Sequence, residues 1–262
     1  VFQRLKISLF DCFHYREVLY NILSQDLKVK YKRTALGYLW SLLNPILQLT
    51  IMTVVFSHIV HLGMKDYTLY LFSGLLAWLF MQTSFLTSAT SILENENFIK
   101  KIYLPKMLFP LSKVCLRSVD FMFSLVALGV IGLFSGFPFR PTIIMLPAAI
   151  ACLFVFTLGV SMLLSIATIY FRDTQYLLSV FLQLLYFATP IIYPVTALPL
   201  NYQPYVALNP FVSQITLFQK LIYAGQYPSA PEWGLAWGLA IFAFSVGSFA
   251  LLWLEEDLVF RM

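Results

Sequence analysis

Residues 141–171 read PTIIMLPAAIACLFVFTLGVSMLLSIATIYF, a run without one charged side chain, closed by Arg140 before it and Arg172 after it. The hydrocarbon core of a bilayer is about 30 Å thick and takes about 20 apolar residues in helical form. This run is long enough for one crossing and too apolar for a helix that shows a face to water. Working outward, charges are rare enough everywhere to serve as the same ruler: 60% of the 262 residues are hydrophobic, only 11% are charged and the mean hydropathy is +0.80, whereas soluble domains carry about 25% charged residues. Uncharged gaps also run from Arg33 to Lys65, Asp66 to Glu94, Asp120 to Arg140, Asp173 to Lys220 and Glu232 to Glu255. All but one fit a single span. The gap from Asp173 to Lys220 is too long for one helix and holds Pro190, Pro194, Pro199, Pro204 and Pro210. It reads as one span followed by short broken segments, and the proline density disfavours the alternative of two full spans.

The expected fold is therefore an all-α polytopic membrane protein with six transmembrane helices, at about 36–62, 68–93, 107–135, 143–168, 175–194 and 233–254. Short re-entrant helices lie between the fifth and sixth. Residues 1–33 form an N-terminal segment, 34–255 the membrane domain and 256–262 a tail. Lys and Arg set the orientation. With the N-terminus inside, the outer loops hold only Lys65, Arg140 and Lys220 of the 17 basic residues, leaving 14 (17 − 3) at the inner side. Both termini are expected in the cytoplasm. The net charge of +5 reflects this asymmetry, and its placement beside apolar spans excludes a nucleic-acid footprint. Cys12, Cys115 and Cys152 imply no disulfide framework, and the first 33 residues lack the apolar core and cleavage site of a signal peptide.

Residues 13–32 place Tyr15, Leu19, Ile22, Leu23, Leu27 and Tyr31 near one side of a helix and Asn21, Gln25, Lys28 and Lys32 on the other. With Lys28, Lys30, Lys32 and Arg33 clustered before the first span, this amphipathic helix suits the inner membrane surface, among membrane lipids with anionic headgroups. A solvated helix serving only as a topology signal is the plainer alternative. In the first span, Pro45 predicts a kink. The second span carries the series Thr83, Ser84, Thr87, Ser88 and Ser91, suited to close helix packing.

Glu94 to Lys106, ENENFIKKIYLPK, is the longest polar stretch. Acidic residues begin it and basic residues end it, the favourable polarity for a short helix that stops before Pro105. An exposed helix between two spans is built to dock a cytoplasmic partner. The third span holds Lys113, Arg117 and Asp120, the last two at i and i+3. Charges at this depth need partners or water, so Arg117 and Asp120 read either as a gate at an inner mouth or as an intrahelical salt bridge with snorkelling stems. Phe137-Pro138-Phe139-Arg140-Pro141 predicts a tight outer turn.

Several chemistries are missing. No G-x-x-x-x-G-K-[ST] occurs, so the chain has no P-loop, and ATP with its Mg would have to sit on another chain. His14, His58 and His61 form no ligand cluster, so no metal site is expected and no catalytic residues are assigned. Carboxylates keep mostly to loops and helix ends, without the membrane-centre acids of proton-coupled carriers. The outer loops offer only Asp66 and Glu232 to a membrane enzyme acting on lipid-linked sugars. Against these absences stands an excess of aromatics, 25 Phe, 15 Tyr and 5 Trp. Ring faces stack on sugar C–H faces and give a weak, repeating track, although packing and lipid contact account for many of them.

The run Lys30-Tyr31-Lys32-Arg33-Thr34-Ala35-Leu36-Gly37-Tyr38-Leu39-Trp40-Ser41-Leu42-Leu43-Asn44-Pro45 resembles the start of the first span in permease subunits of type-2 ABC exporters for bacterial polysaccharides, the O-antigen, capsule and teichoic-acid systems. The loop around Ile102-Tyr103-Leu104-Pro105, the turn Tyr170-Phe171-Arg172-Asp173, and Thr189-Pro190-Ile191-Ile192-Tyr193 followed by Asn209-Pro210 extend the resemblance in order over nearly the whole chain. It implies two copies of this chain with two copies of a separate ATPase, exporting lipid-linked polysaccharide across the bacterial cytoplasmic membrane. It further implies ATPase coupling through Glu94, Glu96, Phe98, Lys100, Lys101 and Tyr103, with Arg172 and Asp173 as a second contact. The segments after Pro194 become an outer gate. Trp40, Asn44, Phe56, Tyr186, Phe187 and Tyr193 become candidates to line the channel. Export of a drug or small lipid is the alternative cargo within the same family.

Overall fold

The computed structural model describes residues 15–31, 66–101, 104–135, 140–255 and 257–258, together with residues 40, 43, 46, 47, 50 and 51. Every described element is helical, in the order α1 Arg16–Tyr31, α2 Tyr67–Ala89, α3 Ser91–Glu94, α4 Glu96–Ile99, α5 Leu108–Ser135, α6 Leu146–Tyr170, α7 Thr174–Ala188, α8 Gln203–Ala207, α9 Pro210–Phe218 and α10 Ala230–Trp253. A 3₁₀ turn, Pro141–Met145, leads into α6, and a π-helical turn, Gln219–Ala224, follows α9.

Among the described residues, four helices are long and apolar enough to cross a membrane: α2, α5, the continuous Pro141–Tyr170 rod, and α10. They answer to the expected second, third, fourth and sixth spans. Most of the first span lies outside the described residues, and the positions described within it are all helical. The fifth span is corrected. α7 has 15 residues and stops at Ala188 rather than running to residue 194. At 1.5 Å per residue it is about 22 Å long, short of a bilayer core of about 30 Å. Pro190 has no N–H to extend a helix, and the residue before a proline is driven to extended geometry, as the Thr189 φ of −106° and ψ of 135° show. The second span is also shorter than expected, because the helix breaks at Thr90 before α3.

α2 is the core of the body. It packs on α5, α6, α7 and α9 and buries Leu71, Phe72, Trp78, Met81 and Phe85 almost completely. Its serines Ser84 and Ser88, with Ser91 just beyond, are fully buried as well. The tightest seam joins α6 to α10. A Cβ on Gly159 would collide with the backbone of Ala243 and Phe244, and one on Gly247 would collide with the Gly159 carbonyl. Ala236, Ala240, Ala243 and Gly247, four or three residues apart, present the small face that lets the two backbones meet.

The chain between α7 and α10 forms a stack of short pieces. Phe211, at the start of α9, packs on Trp78, Phe85 and Phe156 at ring-centroid distances of 6.0, 6.1 and 5.6 Å. Tyr223, in the π-helical turn, reaches Tyr70 near the beginning of α2 at 5.3 Å. The segment therefore starts at the first turn of α2, where Tyr67 and Tyr70 meet residues 190–193, reaches the middle of α2 at Phe211 and returns to the first turn at Tyr223. α10 opens with a capping box in which Ser229 and Glu232 satisfy one another's orphan N–H groups.

Candidate functional site

Two polar ends terminate the helical body. At one end α2 passes into an elbow of two single turns, α3 and α4. Asn95 separates them, donating its side-chain amide to the Ser91 carbonyl at 2.8 Å. Thr90 donates its hydroxyl to Glu94 at 2.6 Å, and Glu96 pairs with Lys100 one turn on. The expected single helix is thus broken in two and ends at Ile99. Ile99, Leu104 and Met107 turn into the core, while Phe98 stands 57% exposed and Lys100 and Lys101 face outward. Tyr103 lies outside the described residues.

Beside this elbow, the connection from α6 to α7 exposes Phe171, Arg172 and Asp173. A cleft of about 220 Å³ joins the two features, lined by Leu93, Glu96, Thr168, Arg172 and Gln175. Two stretches more than 70 residues apart in sequence, singled out separately as docking segments, thus share one surface.

A second, larger cleft of about 440 Å³ separates the elbow from α1 and runs along Val18, Ile22, Asp26, Glu94, Phe98 and Lys113. Tyr15, Val18 and Ile22 turn α1 toward the core, and the helix packs on α5. Of the basic cluster that begins in its last turn, Lys28 is exposed, while Lys32 and Arg33 lie outside the described residues. Lys113 of α5 reaches Asp26 of α1 at 3.0 Å and Glu94 at 3.4 Å. One turn further, Arg117 and Asp120 form the intrahelical bridge, at 3.2 Å. Lys106, only 5% exposed, pairs with Glu255 beyond α10 at 3.1 Å, which closes this end of the bundle.

The opposite end handles a different difficulty. Where α7 breaks, the carbonyls of Pro190, Ile192 and Tyr193 have no helical partner. α2 caps them: Tyr67 donates to the Ile192 carbonyl at 2.7 Å, and the Tyr70 hydroxyl lies 3.1 Å from the Pro190 carbonyl and 2.9 Å from that of Tyr193. Gln219 donates to the Pro190 carbonyl at 3.0 Å, and Asn209 to the Thr189 hydroxyl at 3.0 Å. Arg140 donates to the Ala224 carbonyl, and Lys220 pairs with Glu232.

Of the aromatics expected along a channel, Tyr186, Phe187 and Tyr193 lie together at the end of α7, with the Tyr186 and Phe187 rings 5.4 Å apart. Tyr186 packs against Trp78 at 5.8 Å and is half-buried, Phe187 is exposed, and Tyr193 donates to the Phe187 carbonyl at 2.9 Å. Trp40 is exposed. Asn44 and Phe56 lie outside the described residues, as do Pro45, His14, His58, His61 and Cys12. α7 buries only Leu178 and Leu182 and leaves Tyr176, Leu177, Val180, Phe181, Leu184 and Phe187 on the surface. Among the described residues, no group of three or more His, Cys, Asp and Glu side chains is placed to hold a metal ion.

The contacts that the sequence reading missed are the Lys113–Asp26–Glu94 meeting, the Lys106–Glu255 pair, the tyrosine caps and the Gly159–Gly247 crossing. Only the last left a plain signal, in the four-residue rhythm of small residues along α10.

A multi-pass helical body with two exposed turns sharing a cleft at one end has the build of a membrane transport subunit. The comparison with known proteins makes this specific: residues 17–223 match the ABC-2 type transporter family, and the chain belongs to that family. It is 28% identical over 250 residues to an O-antigen export system permease protein RfbA of Myxococcus xanthus, covering 95% of this chain and 93% of that protein. It is 30% identical over 212 residues to the RfbA of Klebsiella pneumoniae, covering 80% and 81% of the two chains. Similarity to the polysialic acid transport protein KpsM of Escherichia coli is lower, 22% over 204 residues, covering 77% and 79%. The chain is accordingly a membrane transport permease and not an enzyme.

Proposed function

We propose that this chain is the channel-forming permease of an ABC exporter that moves lipid-linked, O-antigen-like polysaccharide outward across the bacterial cytoplasmic membrane. The observation that carries the reading is the match to an O-antigen export permease over 95% of this chain and 93% of that relative. Energy comes from ATP and Mg bound on two copies of a separate ATPase, consistent with the missing P-loop. Two copies of this chain form the conduit, each with six spans and both termini inside. The broken segments after Pro194 re-enter the membrane as the outer gate.

The elbow end faces the cytoplasm in this reading. The ATPase seats on the cleft between α4 and the Arg172 turn, against Glu96, Phe98, Lys100, Lys101, Tyr103, Arg172 and Asp173, with Glu94 at the hinge of the elbow. The apolar surface of α7, which the described residues leave uncovered, supports a place for it beside the conduit, with Phe187, Tyr186, Tyr193, Trp40, Asn44 and Phe56 as the candidate lining. Arg117 and Asp120 hold charge at the inner mouth.

Reconstitution of the chain in sealed vesicles, with and without the ATPase encoded nearest to it, tests the proposal. ATP-dependent movement of lipid-linked polysaccharide only when both proteins are present is the expected result. A complex that hydrolyses ATP and ignores the glycan would reassign the cargo to a drug or small lipid, and no complex at all would end the exporter reading.

A further inference from the structure

Lys113 touches acids on two other elements at once. Its ammonium donates to Asp26 on α1 at 3.0 Å, within hydrogen-bond reach, and faces Glu94 at the end of α3 at 3.4 Å, an ion pair without the hydrogen bond. The second Glu94 oxygen is engaged by Thr90 at 2.6 Å. Exposure rises along the set, 15% for Lys113, 26% for Asp26 and 53% for Glu94. The best-anchored member is thus the lysine on a long membrane helix, and the loosest is the carboxylate on the elbow. One positive and two negative charges share the site. A single ammonium cannot sit at its best distance from both carboxylates unless their carriers approach, so the lysine's preference depends on where the elbow stands. The cleft of about 440 Å³ between α1 and the elbow leaves room for that approach.

We propose that Lys113 is a positioning residue for transport coupling, a shared counter-ion whose division between Asp26 and Glu94 ties the setting of α1 to that of the elbow. The inference rests on the reading above, in which the ATPase moves the elbow. A shift that brings Glu94 closer lets the ammonium bind both carboxylates and clamps the elbow to α1, and withdrawal of Glu94 leaves the lysine to Asp26 alone and releases the elbow from α1. This gives the coupling two discrete ionic arrangements that both elements bias, as physical transmission between sites requires.

The test uses the full chain in membranes with its ATPase, spin labels replacing the exposed residues Tyr20 on α1 and Asn97 on α4, and Cys12, Cys115 and Cys152 replaced by serine. Pulsed electron resonance should give one narrow Tyr20–Asn97 distance in the parent and a broadened one in Lys113→Met. Lys113→Arg should keep the narrow distance. In the unlabelled complex, Lys113→Met should hydrolyse ATP while polysaccharide exported per ATP falls about tenfold, within the usual range of coupling between sites, and Lys113→Arg should restore it. A merely structural lysine would lower assembly, hydrolysis and export together. Glu94→Gln removes one of the two competing anions and keeps the Asp26 bond. Its resting distance should shift, which gives a second reading if Lys113→Met does not assemble. An unchanged distance in Lys113→Met or Glu94→Gln, or Lys113→Arg behaving as Lys113→Met, overturns the proposal. The resting distances need no glycan, so failure of the parent to move polysaccharide would sink the exporter reading and leave this result standing.

Discussion

The two ends of the bundle are held by different chemistry. At the elbow end, charges join elements distant in sequence: Lys113 to Asp26 and Glu94, Lys106 to Glu255. At the opposite end Arg140 donates to the Ala224 carbonyl and Lys220 pairs with Glu232, but the broken main chain itself is held by neutral donors, Tyr67, Tyr70 and Gln219 capping the carbonyls of Pro190, Ile192 and Tyr193. Ion pairs act over distance and re-partner readily in a wet setting. A neutral hydrogen bond to a buried carbonyl is short-ranged and costly to leave unmade. The elbow end is therefore built to change partners, and the opposite end to hold one unwound segment in register.

The seam common to both ends should give the largest effect. Gly159→Leu drives a side chain into the α10 backbone, so both ends should loosen together, with a loss of about 3 kcal/mol or more seen as lost folded protein in detergent and a collapsed melting temperature. Lys106→Met should act at the elbow end alone. It strips the partner from a Glu255 only 19% exposed, and thermal unfolding should register a loss of about 2 kcal/mol, below the full cost of breaking a wholly buried pair. Damage spreading to hydrogen exchange at residues 189–193 would contradict the separation of the two ends.

Tyr70→Phe is the mirror experiment. It removes the one hydroxyl proton available to two carbonyls, costing about 1–2 kcal/mol and speeding amide exchange at Ile191 and Ile192 while the elbow stays protected. Smallest should be Lys100→Ala. It cuts an exposed i,i+4 pair with Glu96, worth no more than about 0.5 kcal/mol, so the melting temperature should hold while affinity for the ATPase falls.

How much of this the sequence carries follows from the range of each interaction. Where a span is a continuous apolar run, as in 141–171, charge gaps mark it to within a few residues. The fifth span ran past its true end because hydropathy continues through Ala188-Thr189-Pro190-Ile191-Ile192, whereas the helix obeys Pro190. The proline was legible, but not the tyrosines that make the break affordable, since Tyr70 and Tyr193 lie 123 positions apart. The elbow and the Arg172 turn were legible as local polar islands. Their shared cleft was not, because only the packing of α2 on α6 brings them together. Lys113 read as a charge in need of a partner, and 87 residues separate it from Asp26.

The account turns on which end receives the ATPase. A photo-crosslinking amino acid placed at Phe98 or Phe171, and as a control at Tyr202 or Tyr205 on the opposite end, answers this in membranes containing both proteins. Crosslinks to the ATPase from Phe98 and Phe171, and none from Tyr202 or Tyr205, are the predicted result. Capture from Tyr202 or Tyr205 with silence at Phe98 and Phe171 would invert the molecule in the membrane and contradict the account.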